Sequence, residues 1–153
     1  MWHFKRRSLD IFKPAGGKPV NEKDFAAYRK RLGKTQKQLA QLCGISLKAI
    51  QGYEQGWRTV PPHIERQLLF LVATVEGKQV ELKPCWDIRA CPPDRKQKCP
   101  AWEFRTGEFC WFINGTICGG KVHKDWSEKM KICRTCEVFA ALGFASEKDG
   151  SCE

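Results

Sequence analysis

Seven cysteines carry the most reactive chemistry in this chain: Cys85, Cys91, Cys99, Cys110, Cys118, Cys133 and Cys136. Thiolates ligate metals, exchange disulfides or attack electrophiles, and spacing helps to separate these uses. The intervening gaps are 5, 7, 10, 7, 14 and 2 residues, so only Cys133 and Cys136 form the short knuckle with which a tight turn grips a tetrahedral zinc ion. Iron–sulfur clusters accept thiolates from scattered loops, often with a proline directly after a ligand, as in Cys91-Pro92 and Cys99-Pro100. The pattern predicts metal ligation by these seven thiols, as an iron–sulfur cluster or as zinc with a slight lean to the former. Disulfides and unligated reactive thiols are the alternatives. Seven thiols exceed the four that one site needs, so three serve structure or redox exchange, or an eighth ligand completes a second site. Cys152 and His123 are the candidates for that eighth ligand, although the first reads as a tail thiol and the second as a surface histidine. Cys43, far from the others in sequence, reads as a small core hydrophobe.

A second set of side chains lies in the other half of the chain. Residues 1–80 hold 15 Lys/Arg against 6 Asp/Glu, a net +9 of the total +10, while residues 81–153 are nearly neutral. A polyanion would bind the first half. Ser46, Tyr53 and Arg58, with Lys34 and Lys37, suit contacts to phosphate, and so does the Lys5-Arg6-Arg7 cluster on a flexible arm over residues 1–20.

Helices must present these groups. Asn21 caps a helix over 22–32 that carries Phe25, Tyr28 and Leu32 on one face and stops at Gly33. Thr35 caps a second, Gln36 to Cys43, and Gly44 turns the chain. Ser46 caps a third, Leu47 to Gln55, which Gly56 ends. Pro61 and Pro62 open a fourth, with Ile64, Leu68, Leu71, Val72 and Val75 at helical spacing and with Leu69 and Phe70 widening the stripe beyond what one small core needs. The run Thr35-Gln36-Lys37-Gln38-Leu39-Ala40, Gly44-Ile45-Ser46, Ile50, Tyr53-Glu54, Gly56, Arg58 and Pro61 closely resembles the Cro/repressor (XRE-type) helix-turn-helix family over about residues 21–75. That resemblance implies that Leu47, Lys48, Gln51 and Gly52 face the major groove, where Lys48 can donate to guanine O6 and N7, Gln51 can pair with adenine and Leu47 can touch a thymine methyl, and that Gln36 anchors to a phosphate and sometimes touches a base. Gly52 departs from it, since a side chain often reads bases there, and close approach to the duplex is one compensation.

Beyond a polar linker at 76–84, residues 85–139 show short cysteine intervals, little periodicity and one helical stretch around Trp126 to Phe139, followed by a tail over 140–153. The segment resembles a bacterial cysteine-rich module with two Cys-Trp pairs, here Cys85-Trp86 and Cys110-Trp111, that occurs beside regulatory and sensory domains. Trp86, Trp102, Trp111 and Trp126 are expected to build its small core. No apolar run approaches the roughly 20 residues that span a bilayer, and the N-terminus has no secretory pattern. The thiols are therefore expected in a reducing cytoplasm. The expected fold is mainly α: a four-to-five-helix bundle joined to a small irregular metal-stabilised domain. The expected function is a non-enzymatic, sequence-specific transcriptional regulator that binds double-stranded DNA as a homodimer, with a C-terminal metal-thiolate domain that either stabilises the protein or reports redox or metal status, and with no membrane partner. A thiol redox or electron-transfer protein and a non-DNA-binding adaptor are the rivals.

Overall fold

The computed structural model describes residues 19–76 and 81–142. The Lys5-Arg6-Arg7 cluster, positions 77–80 of the expected linker and the tail with Cys152 lie outside the described residues.

Local capping starts each of the first three helices. In α1, Glu22–Arg31, the Asn21 side chain accepts from the Asp24 backbone N–H at 2.9 Å and Asp24 returns the bond to Asn21, while basic residues fill the last turn. Thr35 and Gln38 make the same reciprocal box for α2, Gln36–Cys43, and Gly44 ends it in the left-handed region at φ +66°. Ser46 caps α3, Leu47–Glu54. The fourth helix, α4, spans Pro62–Glu76. Its buried face differs from the expected stripe. Ile64, Leu68, Leu69, Val72 and Ala73 are enclosed, whereas Val75 is exposed.

After residue 80 the elements are short: α5 (Cys85–Ile88), α6 (Pro93–Lys96), α7 (Pro100–Glu103), a 3-10 segment (Gly107–Phe112), β1 (Ile117–Cys118), β2 (Lys121–Val122), α8 (Trp126–Cys133) and α9 (Glu137–Ala140). The expected helical stretch thus breaks at Arg134 into two pieces. Strands β1 and β2 pair antiparallel, Ile117 with Val122 and Cys118 with Lys121, across Gly119 and Gly120, both at positive φ. That is the geometry a two-residue hairpin turn demands, and Gly-Gly between two apolar-containing pairs was the signal for it. The architecture is mainly helical, with this hairpin as the strand content among the described residues.

One hydrophobic core joins the two halves. Phe25, Leu39, Ile50, Ile64, Leu68 and Val72 share it with Trp111, Trp126, Met130, Phe139 and Leu142. Phe70 stacks on Phe112 at 4.9 Å and on Phe109 at 5.9 Å, so the surplus apolar surface of α4 is covered within the chain. Trp111 lies at the centre, edge-on to Phe139 and 6.5 Å from Trp126. Trp86 and Trp102 instead pair with each other toward the surface. Val20, placed by the sequence in a flexible arm, is buried, as is Leu142 from the expected tail.

Polar groups close the same boundary. Glu65 on α4 is 4% exposed and accepts from the Val20 backbone N–H at 3.2 Å, from Trp126 Nε1 at 3.1 Å and from the Arg134 guanidinium. Next along the helix, Arg66 lays its guanidinium 4.5 Å from the centre of the Trp126 ring. Burial raises the Asp24 carboxyl, with its cap hydrogen bond and the nearby Arg134 charge acting against that rise. Removing one member of a buried pair strands the other's charge, so Arg134→Ala should lower stability by about 3–5 kcal/mol. Urea denaturation followed by tryptophan fluorescence and by circular dichroism should show one shared transition for the wild type. Two separated transitions would mean that the halves fold independently.

Candidate nucleic-acid interface and thiol cluster

The interface is built on α2 and α3, which turn against each other at Gly44-Ile45-Ser46. Leu39, Ala40 and Cys43 bury the inner side of α2, and Ala49, Ile50 and Tyr53 that of α3. Burial pushes the Cys43 thiol up, in keeping with a core role. The opposite side of α3 is open. Leu47, Lys48 and Gln51 are exposed and, with Gly52, Trp57 and Arg58, line one shallow depression. Ser46 lies at the edge, its hydroxyl oxygen accepting from the Ala49 N–H at 3.1 Å.

Three expected contacts sit differently. Tyr53 is buried with its ring edge-on to Phe25 at 5.5 Å, so its ring serves the core. Gly52 is buried although it lies beside exposed neighbours, because the Arg58 side chain covers it. A Cβ there would stand 3.0 Å from Arg58 Cδ, so the arginine stem lies over the bare backbone at this position. Gln36 is half-buried, and its Nε2 donates to Glu54 Oε2 at 2.8 Å. Arg29 also binds Glu54 through Nε and, at 3.1 Å, through Nη2, and it donates from Nη1 to the Lys34 carbonyl at 2.9 Å. Glu54 therefore ties α1, α2 and α3 together at the entrance to the interface. Trp57, 81% exposed, had no role in the sequence reading. Its signal was an aromatic residue in the polar turn between Gly56 and Pro61.

Among the C-terminal thiols, Cys85, Cys99, Cys110 and Cys136 pack in one cluster with Ala101 and Val138. Cys85, opening α5, and Cys110, in the 3-10 segment, are hydrogen-bonded to each other. The contact between their segments is close, since a Cβ on Gly107 would fall 2.7 Å from the Trp86 ring. The Cys110 hydrogen bond lowers the Cys85 thiol against the effect of burial, helped by the Lys129 charge. The same bond, together with burial and the proximity of Cys85 and Cys133, raises Cys110. Lys129 is wholly buried and donates from Nζ to Thr116 Oγ1. Burial raises Cys91, which also feels Cys99, Cys85 and Cys118. Cys99 accepts from the Ile117 N–H at 3.5 Å, and Cys99 and Cys136 pack beside Ala101 and Val138. His123 is buried, against the expectation of a surface histidine, with Nε2 3.3 Å from the Cys118 carbonyl.

Among the described residues no disulfide is present, and no group of three or more His, Cys, Asp or Glu side chains stands in a metal-holding arrangement. The donor chemistry of these thiols suits zinc or an iron–sulfur cluster. No helix among the described residues is long and apolar enough to cross a membrane.

Residues 25–65 match the helix-turn-helix family model. No curated protein and no solved structure matches the chain.

The Glu54 network makes an acid-sensitivity prediction. Burial pushes this carboxyl up, but hydrogen bonds from Arg29 and Gln36 and the charges of Arg29 and Lys30 outweigh it and hold it below its ordinary value. The stabilisation is therefore complete above the unfolded carboxylate pKa of about 4.3 and is lost as the pH falls through the lower folded value. Glu54→Gln should be less stable than the wild type at neutral pH, with the gap narrowing toward about pH 3. Chemical denaturation across that range measures the gap, and a constant difference would contradict the assignment.

Proposed function

We propose that this chain, whose residues 25–65 form a helix-turn-helix of the Cro/repressor type, is a sequence-specific DNA-binding transcriptional regulator in which the C-terminal thiol-rich half modulates the helix-turn-helix. The observation that carries this reading is the exposed row Leu47, Lys48 and Gln51 on the outer side of a helix whose inner side is fully packed. A major groove admits one such helix, and Lys and Gln have the donors to distinguish guanine and adenine there. The surplus of positive charge in residues 1–80 supplies the non-specific attraction. Duplex DNA is the partner, and the work is binding rather than catalysis.

The binding unit in this proposal is a dimer spanning two half-sites about one helical turn apart. Its interface is not the Leu69–Phe70 surface, which the C-terminal half occupies. That occupation supports coupling instead, because any rearrangement of the thiols is transmitted through Trp111 and Phe112 to α4. A zinc or iron–sulfur cofactor stays a proposal for Cys85, Cys91, Cys99, Cys110, Cys118, Cys133 and Cys136, and no step of DNA binding is routed through it. Metal analysis and the visible spectrum of anaerobically purified protein should give stoichiometric metal. A metal-free, fully folded protein would leave the thiols as a redox or structural cluster.

Anisotropy titrations of the full-length protein with duplex DNA should show affinity that falls steeply with salt. Lys48→Ala should change the preferred sequence and cost about 1–3 kcal/mol at the cognate site, whereas Gln36→Ala should weaken all sequences evenly. Absence of binding at low salt would remove the regulator reading.

A further inference from the structure

Lys48 and position 52 are four residues apart on α3, so they are neighbours on one side of the helix. Lys48 projects from that side, and position 52 has no side chain to do so. Yet Gly52 is buried, and what buries it is a residue from beyond the helix. The backbone N–H groups of Trp57 and Arg58 both donate to the Gly52 carbonyl, at 2.9 and 3.1 Å, which folds the turn back on the last turn of α3. The stem of Arg58 then runs over the glycine. A Cβ at position 52 would lie 3.0 Å from Arg58 Cδ, 3.2 Å from Cγ and 3.5 Å from Nε. Any side chain at 52 would have to displace this stem.

Arg58 itself is exposed, and among the described residues its side chain makes no hydrogen bond or ion pair. Arg58 lines the same depression as Leu47, Lys48 and Gln51. Two consequences follow. A groove that receives Lys48 and Gln51 also meets Arg58, because they share a surface. The stem is also held against the helix, so less rotamer freedom is lost when its fork engages a planar acceptor.

We infer that Arg58 is a base-reading residue, presented across Gly52 in place of the side chain that α3 lacks there, and that it donates both arms of its fork to O6 and N7 of one guanine. This assignment rests on the proposed DNA-binding function and deepens it. Gly52 is then the residue that makes the reader fit, and Trp57 and Leu47 are apolar walls beside it.

The test uses full-length protein and a randomised duplex pool from which the wild type selects its preferred site. Single-base variants of that site are then titrated with wild type, Arg58→Ala, Arg58→Lys and Gly52→Ala, with circular dichroism to check the fold of each. The expected result is that one guanine, preferred roughly 5- to 150-fold by the wild type, loses its preference in Arg58→Ala. The same loss in Arg58→Lys, which keeps the charge and lacks the fork, with unchanged affinity for non-specific duplex, separates base reading from simple charge. Gly52→Ala, by displacing the stem, should relax the same base pair and no other. The inference is overturned if Arg58→Ala weakens every sequence alike and reduces the salt slope by about 1, which marks a phosphate contact. It is overturned equally if Arg58→Lys retains the full preference. Failure of the wild type to bind any member of the pool would instead overturn the DNA-binding function itself.

Discussion

The carboxylate of Glu65 is the constraint around which both halves are arranged. A buried charge costs several kcal/mol in lost solvation unless donors surround it, and Glu65 collects its donors from three separate parts of the chain: Val20 ahead of α1, Trp126 at the start of α8 and Arg134 at its end. Each donor fixes something else. Val20 sets where the chain enters α1, Trp126 brings the aromatic cluster of Trp111 and Phe139 against α4, and Arg134 stands close enough to Asp24 to act on its charge. Apolar contact alone would let α4 and α8 slide along each other. Directional bonds to one carboxylate give that contact a single register.

How much of this was legible depended on range. Asn21, Thr35 and Ser46 announced their helices because a cap is a bond between a side chain and a backbone group three residues away, visible in any short window. Leu69 and Phe70 could be recognised as surplus apolar surface for the same local reason. The C-terminal elements gave little periodicity because α5, α6, α7 and α9 have only four residues each, too few to repeat a pattern. Segregated charge and cysteine content pointed to two separate units, while the shared core arises from contacts between residues far apart in sequence. His123 was misplaced because the hairpin that encloses it went unnoticed.

The candidate interface shows the same division. The exposed positions Leu47, Lys48 and Gln51 follow from helical spacing, and the structure places them on one surface. Gly52 looked like a gap in that surface. Its meaning came only from Arg58, since no spacing rule says that a turn residue will lie across a helix it has already left. The seven thiols were recognised as a set, but the pairing of Cys85 with Cys110, and the wholly buried Lys129 whose charge acts on both, depend on how α5, the 3-10 segment and α8 meet.

Glu65 and Arg134 are 69 residues apart, and this distance has a meaning during synthesis. At roughly 5–20 residues per second, a ribosome exposes α4 about 3–14 seconds before the arginine that neutralises it. For that interval the nascent helix-turn-helix carries an unpaired carboxylate and an uncovered Phe70, so its fourth helix has no finished surface to close on. The helix that carries Lys48 and Gln51 packs on α1 and α2, which are translated before it, whereas α4 gains its full covering only when the thiol-bearing half is complete. A chain that stops before Arg134 would leave the apolar face of α4 and the Glu65 carboxylate exposed rather than merely lack its C-terminal half.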